Sequence, residues 1–289
     1  MKKNFKIVKD KKKFYFLKSN IDQDYLKKYY EKKYFKTNKN FNYNFSLVEE
    51  QYFKSISNIK FDFIKQNLKK KQKPNLLDIG SGTGRFAHYI SSRCRKITLV
   101  DFDSTQLRYK LKKNMRFFKT VPDQFIRENK IDYDIVVLNN VIEHILDPKK
   151  FLKLLRSKVS KKTLIFIAIP NDFSKLQTEL IKMKKVKKKY WISFPDHISY
   201  FNYKNFVSLA KSLKFNVLNS ISDFPIELLL LSKDFNYVND KKKGKQAHDL
   251  RCRSINYLYQ NNKSEDIIFT LSMFSKLGIG RNNFFLLKK

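Results

Sequence analysis

The side chains best suited to moving a proton fall in two short stretches, Asn139-Asn140-Val141-Ile142-Glu143-His144 and Pro195-Asp196-His197. Histidine is scarce, with four in the chain, and a near-neutral imidazole suits activation of a hydroxyl group. His144 and His197 occupy loops that follow apolar runs, whereas His88 belongs to an outer helix face and His248 to a late polar segment. His197, with Asp196 adjoining it, is the candidate general base, and Glu143 and His144 complete the candidate catalytic set. One carboxylate and two imidazoles can also bind a divalent cation; the metal-free arrangement is the one expected. Glu143 has a structural reading as well, because Asn140-x-x-Glu143 has the spacing of a helix capping box. His248 and Arg251 fall one helical turn apart and can meet an anionic acceptor.

These groups need a scaffold, and Leu76-Leu77-Asp78-Ile79-Gly80-Ser81-Gly82-Thr83-Gly84 indicates one. The stretch reads as a buried strand, a tight glycine turn and a helix over 85–90, with amide N–H groups of the helix start facing the turn. A dinucleotide site asks for Gly-x-Gly-x-x-Gly and a phosphate loop for a terminal Gly-Lys-Ser/Thr; the chain has neither. Lys96-Ile97-Thr98-Leu99-Val100-Asp101 is a second β-branched strand ending in an acid. Asp101 stands where a doubly wound fold places the carboxylate that accepts from ribose hydroxyls, with Phe102 following beside the base.

Asp-x-Gly-x-Gly-x-Gly after a strand resembles the first motif of class I S-adenosylmethionine-dependent methyltransferases. The string Val141-Ile142-Glu143-His144-Ile145-x-Asp147-Pro148 resembles the motif after the fourth strand of the small-molecule and polysaccharide-associated members, and Pro170-Asn171 and Pro195-x-His197 recur there too. The resemblance implies a Rossmann-like seven-stranded α/β sheet, mostly parallel with the last strand antiparallel. It further implies S-adenosyl-L-methionine as cofactor, held by Asp78, Gly80, Ser81, Gly82, Gly84, Asp101, Phe102, Asn139 and Asn140, the two asparagines bordering its methionyl end. The adenine contact is less defined: Asp123 is either that contact or a helix cap. A metal-binding loop like Glu143-His144 with His197 looks like that of small-RNA terminal 2′-O-methyltransferases, which carry a glutamate where this chain has Asn140.

The implied organisation is a helical extension or cap over 1–72, a cofactor-binding core over 73–221 and 281–289, and a helical insertion or lid over 222–280. Within it, Gln106 to Leu111 reads as a helix, Met115 to Thr120, Leu164 to Asn171, Phe215 to Leu218 and Asn283 to Leu287 as strands, and Ile226 to Leu231 as a helical piece. Tyr25, Leu26, Tyr29 and Tyr30 make a helical stripe, and Tyr29-Tyr30-x-x-x-Tyr34-Phe35 resembles an element of some related methyltransferases.

Lys+Arg number 62 against 26 acids, a formal +36, and 52 of the basic residues are lysine. Such a balance often marks a polyanion partner, but lysine combined with abundant Asn, Ile, Phe and Tyr is what an A/T-rich coding sequence produces unaided. Two cysteines allow no disulfide framework, and no apolar run is long enough to span a bilayer; a cytoplasmic protein is expected. The function expected is methyl transfer to a small-molecule or saccharide acceptor at oxygen. Two alternatives stand beside it: an RNA-directed methyltransferase, distinguished by convergence of Lys182–Lys189 and the N-terminal lysines on the cofactor cleft, and a non-catalytic binding module of the same fold.

Overall fold

The computed structural model describes residues 6–9, 14–18, 22, 25, 29, 45–68 and 72–289. Seven strands form its central sheet: β3 (Asn75–Ile79), β4 (Lys96–Asp101), β5 (Met115–Lys119), β6 (Ile135–Asn139), β7 (Leu164–Pro170), β9 (Asn216–Ser222) and β10 (Asn282–Lys288). Their spatial order is β5-β4-β3-β6-β7-β10-β9. The first five are parallel neighbours, and β10 runs antiparallel to both β7 and β9. Chain direction away from β3 reverses between β4 and β6, and a crevice opens at such a switch point beyond the carboxyl ends of the strands.

Uninterrupted apolar runs become strands here because helices cover both sheet faces. Every residue of β7 is buried. Its Leu164, Phe166 and Ala168 face a core built with α1 (Leu47–Gln66), α2 (Arg85–Ile90), α7 (Lys243–Asn261) and α8 (Ser264–Leu277). Its Ile165, Ile167 and Ile169 face the opposite core, with α3 (Pro122–Glu128), α4 (Pro148–Lys158) and α6 (Tyr203–Ser212). A shorter helix, α5 (Lys175–Lys182), follows β7. Thus α1 from the N-terminal extension and α7 and α8 from the 222–280 segment contribute Ile56, Ile64, Ile255 and Leu271 to the same core as the sheet. A capping box starts α1: Ser46 Oγ accepts from the Glu49 amide at 3.3 Å, and Glu49 Oε2 accepts from the Ser46 amide at 2.9 Å.

Two expectations are corrected. The extension is not wholly helical, since β1 (Lys6–Lys9) and β2 (Tyr15–Lys18) form an antiparallel hairpin that pairs with β8 (Ser199–Tyr200). Its driving force is a period of two hidden among lysines: Phe14 is buried against Phe201, while Tyr15 stacks on Phe173 on the other side at 4.1 Å. Gln106 to Leu111 does not form a helix. A 3₁₀ turn over Ser104–Gln106, with Asp103 Oδ1 accepting from the Thr105 amide, ends as Leu107 turns extended, and neither Leu107 nor Leu111 is buried enough to anchor a helix face. The helical piece expected over Ile226–Leu231 is present, as a 3₁₀ helix. Of the tyrosine-rich stretch, Leu26, Tyr30, Tyr34 and Phe35 lie outside the described residues. Among the described residues, no helix is long and apolar enough to cross a membrane.

Phe166 is fully buried in β7, parallel to the ring of Phe86 and 6.0 Å from that of Phe284. Phe166→Ala should lower unfolding free energy by about 3–5 kcal/mol, read as a reduced denaturant midpoint at unchanged slope.

Candidate active site

The glycine turn is built by backbone bonds from β3 to the end of β4. The Gly80 and Ser81 amides donate to the Val100 carbonyl at 2.8 and 3.2 Å, and the Gly82 amide donates to Asp101 Oδ2 at 2.8 Å. Gly80 has φ +69°, and a β-carbon there would lie 2.6 Å from Val141 Cγ2. Gly82 has φ +51°, and among the described residues nothing beyond its chain neighbours lies within 4 Å of the corresponding position, so these residues leave its backbone uncovered. Gly84 precedes the first turn of α2. Asp101 accepts also from the Asp103 amide at 3.2 Å, and Phe102 follows it half-buried. Asp78 is buried, its Oδ1 has no partner among the described residues, and burial, then the charge of Asp101, raise its carboxyl to about 7 against the opposing effect of Lys60.

Across the switch point, β6 delivers Asn139 and Asn140. Asn140 takes φ 59°, a region asparagine tolerates, and its amide donates to the Ala168 carbonyl at 2.9 Å. The capping-box reading of Glu143 does not hold. Residues Ile142–His144 form a 3₁₀ turn without a side-chain cap, and the Asn140 side chain donates to Glu143 Oε1 at 3.0 Å instead. Glu143 Oε2 is buried without a partner among the described residues, and burial raises the carboxyl to about 7, with nearby His197 opposing.

Glu143, His144 and His197 converge: each offers a ligand atom within 4.8 Å of the others. His144 Nδ1 lies 2.6 Å from the Asp196 carbonyl, which can only accept, so Nδ1 carries the hydrogen and Nε2 presents a lone pair 3.9 Å from Glu143 Oε1. Burial, then the charge of His197, draw His144 down to about 3, so it is neutral. The carboxylate facing His197 is Asp172 rather than the adjoining Asp196. Asp172 Oδ2 lies 3.7 Å from His197 Nδ1, whereas the Asp196 side chain takes the hydroxyls of Tyr29 and Ser193. Burial lowers the pKa of His197, but Asp172 and Glu143 outweigh it and raise it overall.

Behind this cluster stands Arg281, next to β10. Arg281 donates to Asp172 Oδ1 at 2.8 Å and reaches Glu227 Oε1 at 3.7 Å, and Glu227 Oε1 also accepts from Gln177. The Asn171 side chain donates to the carbonyls of Gly278 and Gly280, and a β-carbon at Gly280 would strike Ser222. Arg251 donates to the fully buried Asp223 at 2.8 Å and lies over the ring of Tyr52. His248 lies apart from His144 and His197, with Nε2 3.3 Å from Glu49 of α1. Asp123 sits in the first turn of α3 rather than at its cap.

Sequence reasoning missed Lys60, Asp172 and Glu227. Phe173, after Asp172, holds φ 54° at the end of β7; no local letter pattern marks any of them.

The model of a family described as "Methyltransferase domain" matches residues 48–220, more than half of the chain. The chain belongs to this methyltransferase family. SAM-dependent methyltransferases are among its structural neighbours. A SAM-dependent methyltransferase from Archaeoglobus fulgidus aligns with a TM-score of 0.51 at 20% identity, over 84% of this chain and 98% of that one. The complex of the Haloferax volcanii Trm112 methyltransferase activator with a methyltransferase gives 0.51 at 9% identity, over 83% and 90%. The plantazolicin methyltransferase BpumL, solved with SAH, gives 0.48 at 17% identity, over 83% and 86%. No curated protein sequence matches. The methyltransferase's crevice suits the family's cofactor, S-adenosylmethionine, on its own geometry: the bare face of Gly82, the carboxylate of Asp101 beside it and the unpartnered oxygen of Asp78 leave polar groups and space where a nucleoside with an amino-acid arm would lie.

The raised Asp78 carboxyl gives a pH signature. Between the ordinary aspartate value near ~3.9 and about 7, the folded state binds a proton that the unfolded state has released, so this group's contribution to stability falls as pH rises through that window. Asp78→Asn should therefore match the wild type below about pH 4 and become progressively more stable than it toward about pH 7, as measured by denaturant unfolding without cofactor.

Proposed function

We propose that this methyltransferase transfers the methyl group of S-adenosylmethionine to a hydroxyl oxygen of a small-molecule or saccharide acceptor, with Asp78, the glycine turn, Asp101, Phe102, Asn139 and Asn140 holding the cofactor. The observation that carries this reading is the convergence of Glu143, His144 and His197 at the carboxyl ends of β6 and β7, on the same edge of the sheet as the glycine turn. When bound, the cofactor supplies an electrophilic methyl group that passes to the acceptor oxygen as its sulfonium becomes a neutral thioether. Residues of the chain have two tasks. Holding the acceptor in line with the methyl group supplies much of the acceleration, and His197 takes the acceptor's proton, with Asp172 and Glu143 stabilising the imidazolium that forms. Arg281 fixes Asp172 from behind.

A second reading, RNA-directed methylation with a divalent cation at the cluster, is favoured by two observations. His144 and Glu143 have the outer bonds that metal ligands have, to the Asp196 carbonyl and the Asn140 amide. Basic groups also reach the aromatic shell of the site: Lys189 lies 5.7 Å from the ring of Phe173 and Lys9 lies 5.6 Å from that of Tyr15, which stacks on Phe173. The first reading is preferred because Asn140 is a weak substitute for a carboxylate ligand to a hard cation.

His197→Ala should lower turnover by roughly 10²–10⁴-fold with cofactor affinity nearly unchanged, and chelators should leave wild-type turnover intact. Acceptor pools of sugar nucleotides, phenols and RNA, scored by formation of demethylated cofactor, provide the assay. Loss of activity on chelation, restored by one divalent cation and accompanied by methylation of RNA, would instead establish the second reading.

A further inference from the structure

The crevice contains a cation from an unexpected part of the chain. Lys60 lies on α1, and its Nζ donates to Asn139 Oδ1 at 2.9 Å, 79 residues away. The ammonium stands 4.5 Å from the ring centroid of Phe284 in β10. Among the described residues, no carboxylate oxygen comes within 4.0 Å of it. An ammonium has three donors, and this one has the Asn139 oxygen as its partner in a half-buried position. Burial brings its pKa down to about 8, with Asp223 and Asp78 raising it and Arg251 lowering it.

On the neighbouring strand end, Asp78 has the opposite shortage, a buried carboxylate oxygen without a donor among the described residues. Lys60 and Asp78 influence one another's protonation without making a direct ion pair. One strand end therefore presents a positive group with unused donors and the next a negative group with an unused acceptor. A ligand carrying both charges on one carbon, an α-amino acid, complements that pair.

We propose that Lys60 receives the α-carboxylate of the cofactor's methionyl arm while Asp78 faces its α-ammonium, so that the N-terminal extension supplies part of the cofactor site. The inference rests on the reading that the glycine turn binds S-adenosylmethionine. It adds that affinity depends on the amino-acid arm through a residue outside the motif-bearing segments. A purely structural Lys60, present only to offset the charges of Asp78 and Asp223, would make no distinction between ligands with and without that arm.

Calorimetric titration of the full chain separates these roles. Lys60→Met should weaken binding of S-adenosylhomocysteine by about tenfold or more while leaving binding of 5′-methylthioadenosine, which lacks the amino-acid arm, within about twofold; Lys60→Arg should recover most of the loss. A comparison that needs no variant supports it: the wild type should bind decarboxylated S-adenosylmethionine about tenfold or more weakly than S-adenosylmethionine. Equal weakening of both ligands by Lys60→Met, or indifference of the wild type to the carboxylate, would overturn the assignment. Failure of the wild type to bind S-adenosylhomocysteine while methylthioadenosine still binds would overturn it alone. Failure to bind either would remove the cofactor reading as well.

Discussion

The bond from the Gly82 amide to the Asp101 carboxylate is the constraint on which the site depends. It joins the turn after β3 to the end of β4, and together with the two amides bonded to the Val100 carbonyl it holds a backbone conformation with positive φ. That conformation leaves main chain exposed where a side chain would otherwise stand. Asp101 is thereby fixed beside the glycine turn with both carboxylate oxygens engaged by amides. The parallel sheet contributes by bringing the ends of β3, β4 and β6 side by side in one register.

The same edge concentrates charge that burial makes unfavourable. Asp78 and Glu143 both have carboxyls raised to about 7, each with one oxygen lacking a donor. His144 is held neutral and His197 is drawn toward protonation by acids on two elements. A fold selected only for stability has no use for such an arrangement, because unpaired buried polar groups each cost about 1–3 kcal/mol. Arg281 anchors Asp172, the acid that faces His197, and Arg251 pairs with the buried Asp223. Gly280 permits close packing on Ser222, and Arg281 emerges beside Asp172.

What could be read in the sequence was what local chemistry determines. The glycine turn, Asp101 and the β6 loop each announce themselves within a dozen residues, because tight turns and strand ends restrict residue type locally. The hairpin of β1 and β2 was obscured, since its alternation spans only Phe14 to Phe16 among lysines and is completed by pairing with Tyr200 far along the chain. Lys60 was invisible for a related reason: in a chain with 52 lysines, one more carries no signal until Asn139 is seen beside it. Asp172 and Glu227 depend wholly on tertiary contact. His197 was found by residue type, whereas its carboxylate partner proved to be the more distant acid, Asp172.

Hydrogen–deuterium exchange of the full chain with and without S-adenosylhomocysteine tests the central claim, that the glycine turn and the adjoining strand ends form the cofactor site. Protection gained on ligand addition should concentrate in 79–84, 101–103 and 138–144, with little change in the lysine-rich loop over 182–189. Protection confined to other segments, or no change at ligand concentrations that saturate a measured binding isotherm, would contradict the account.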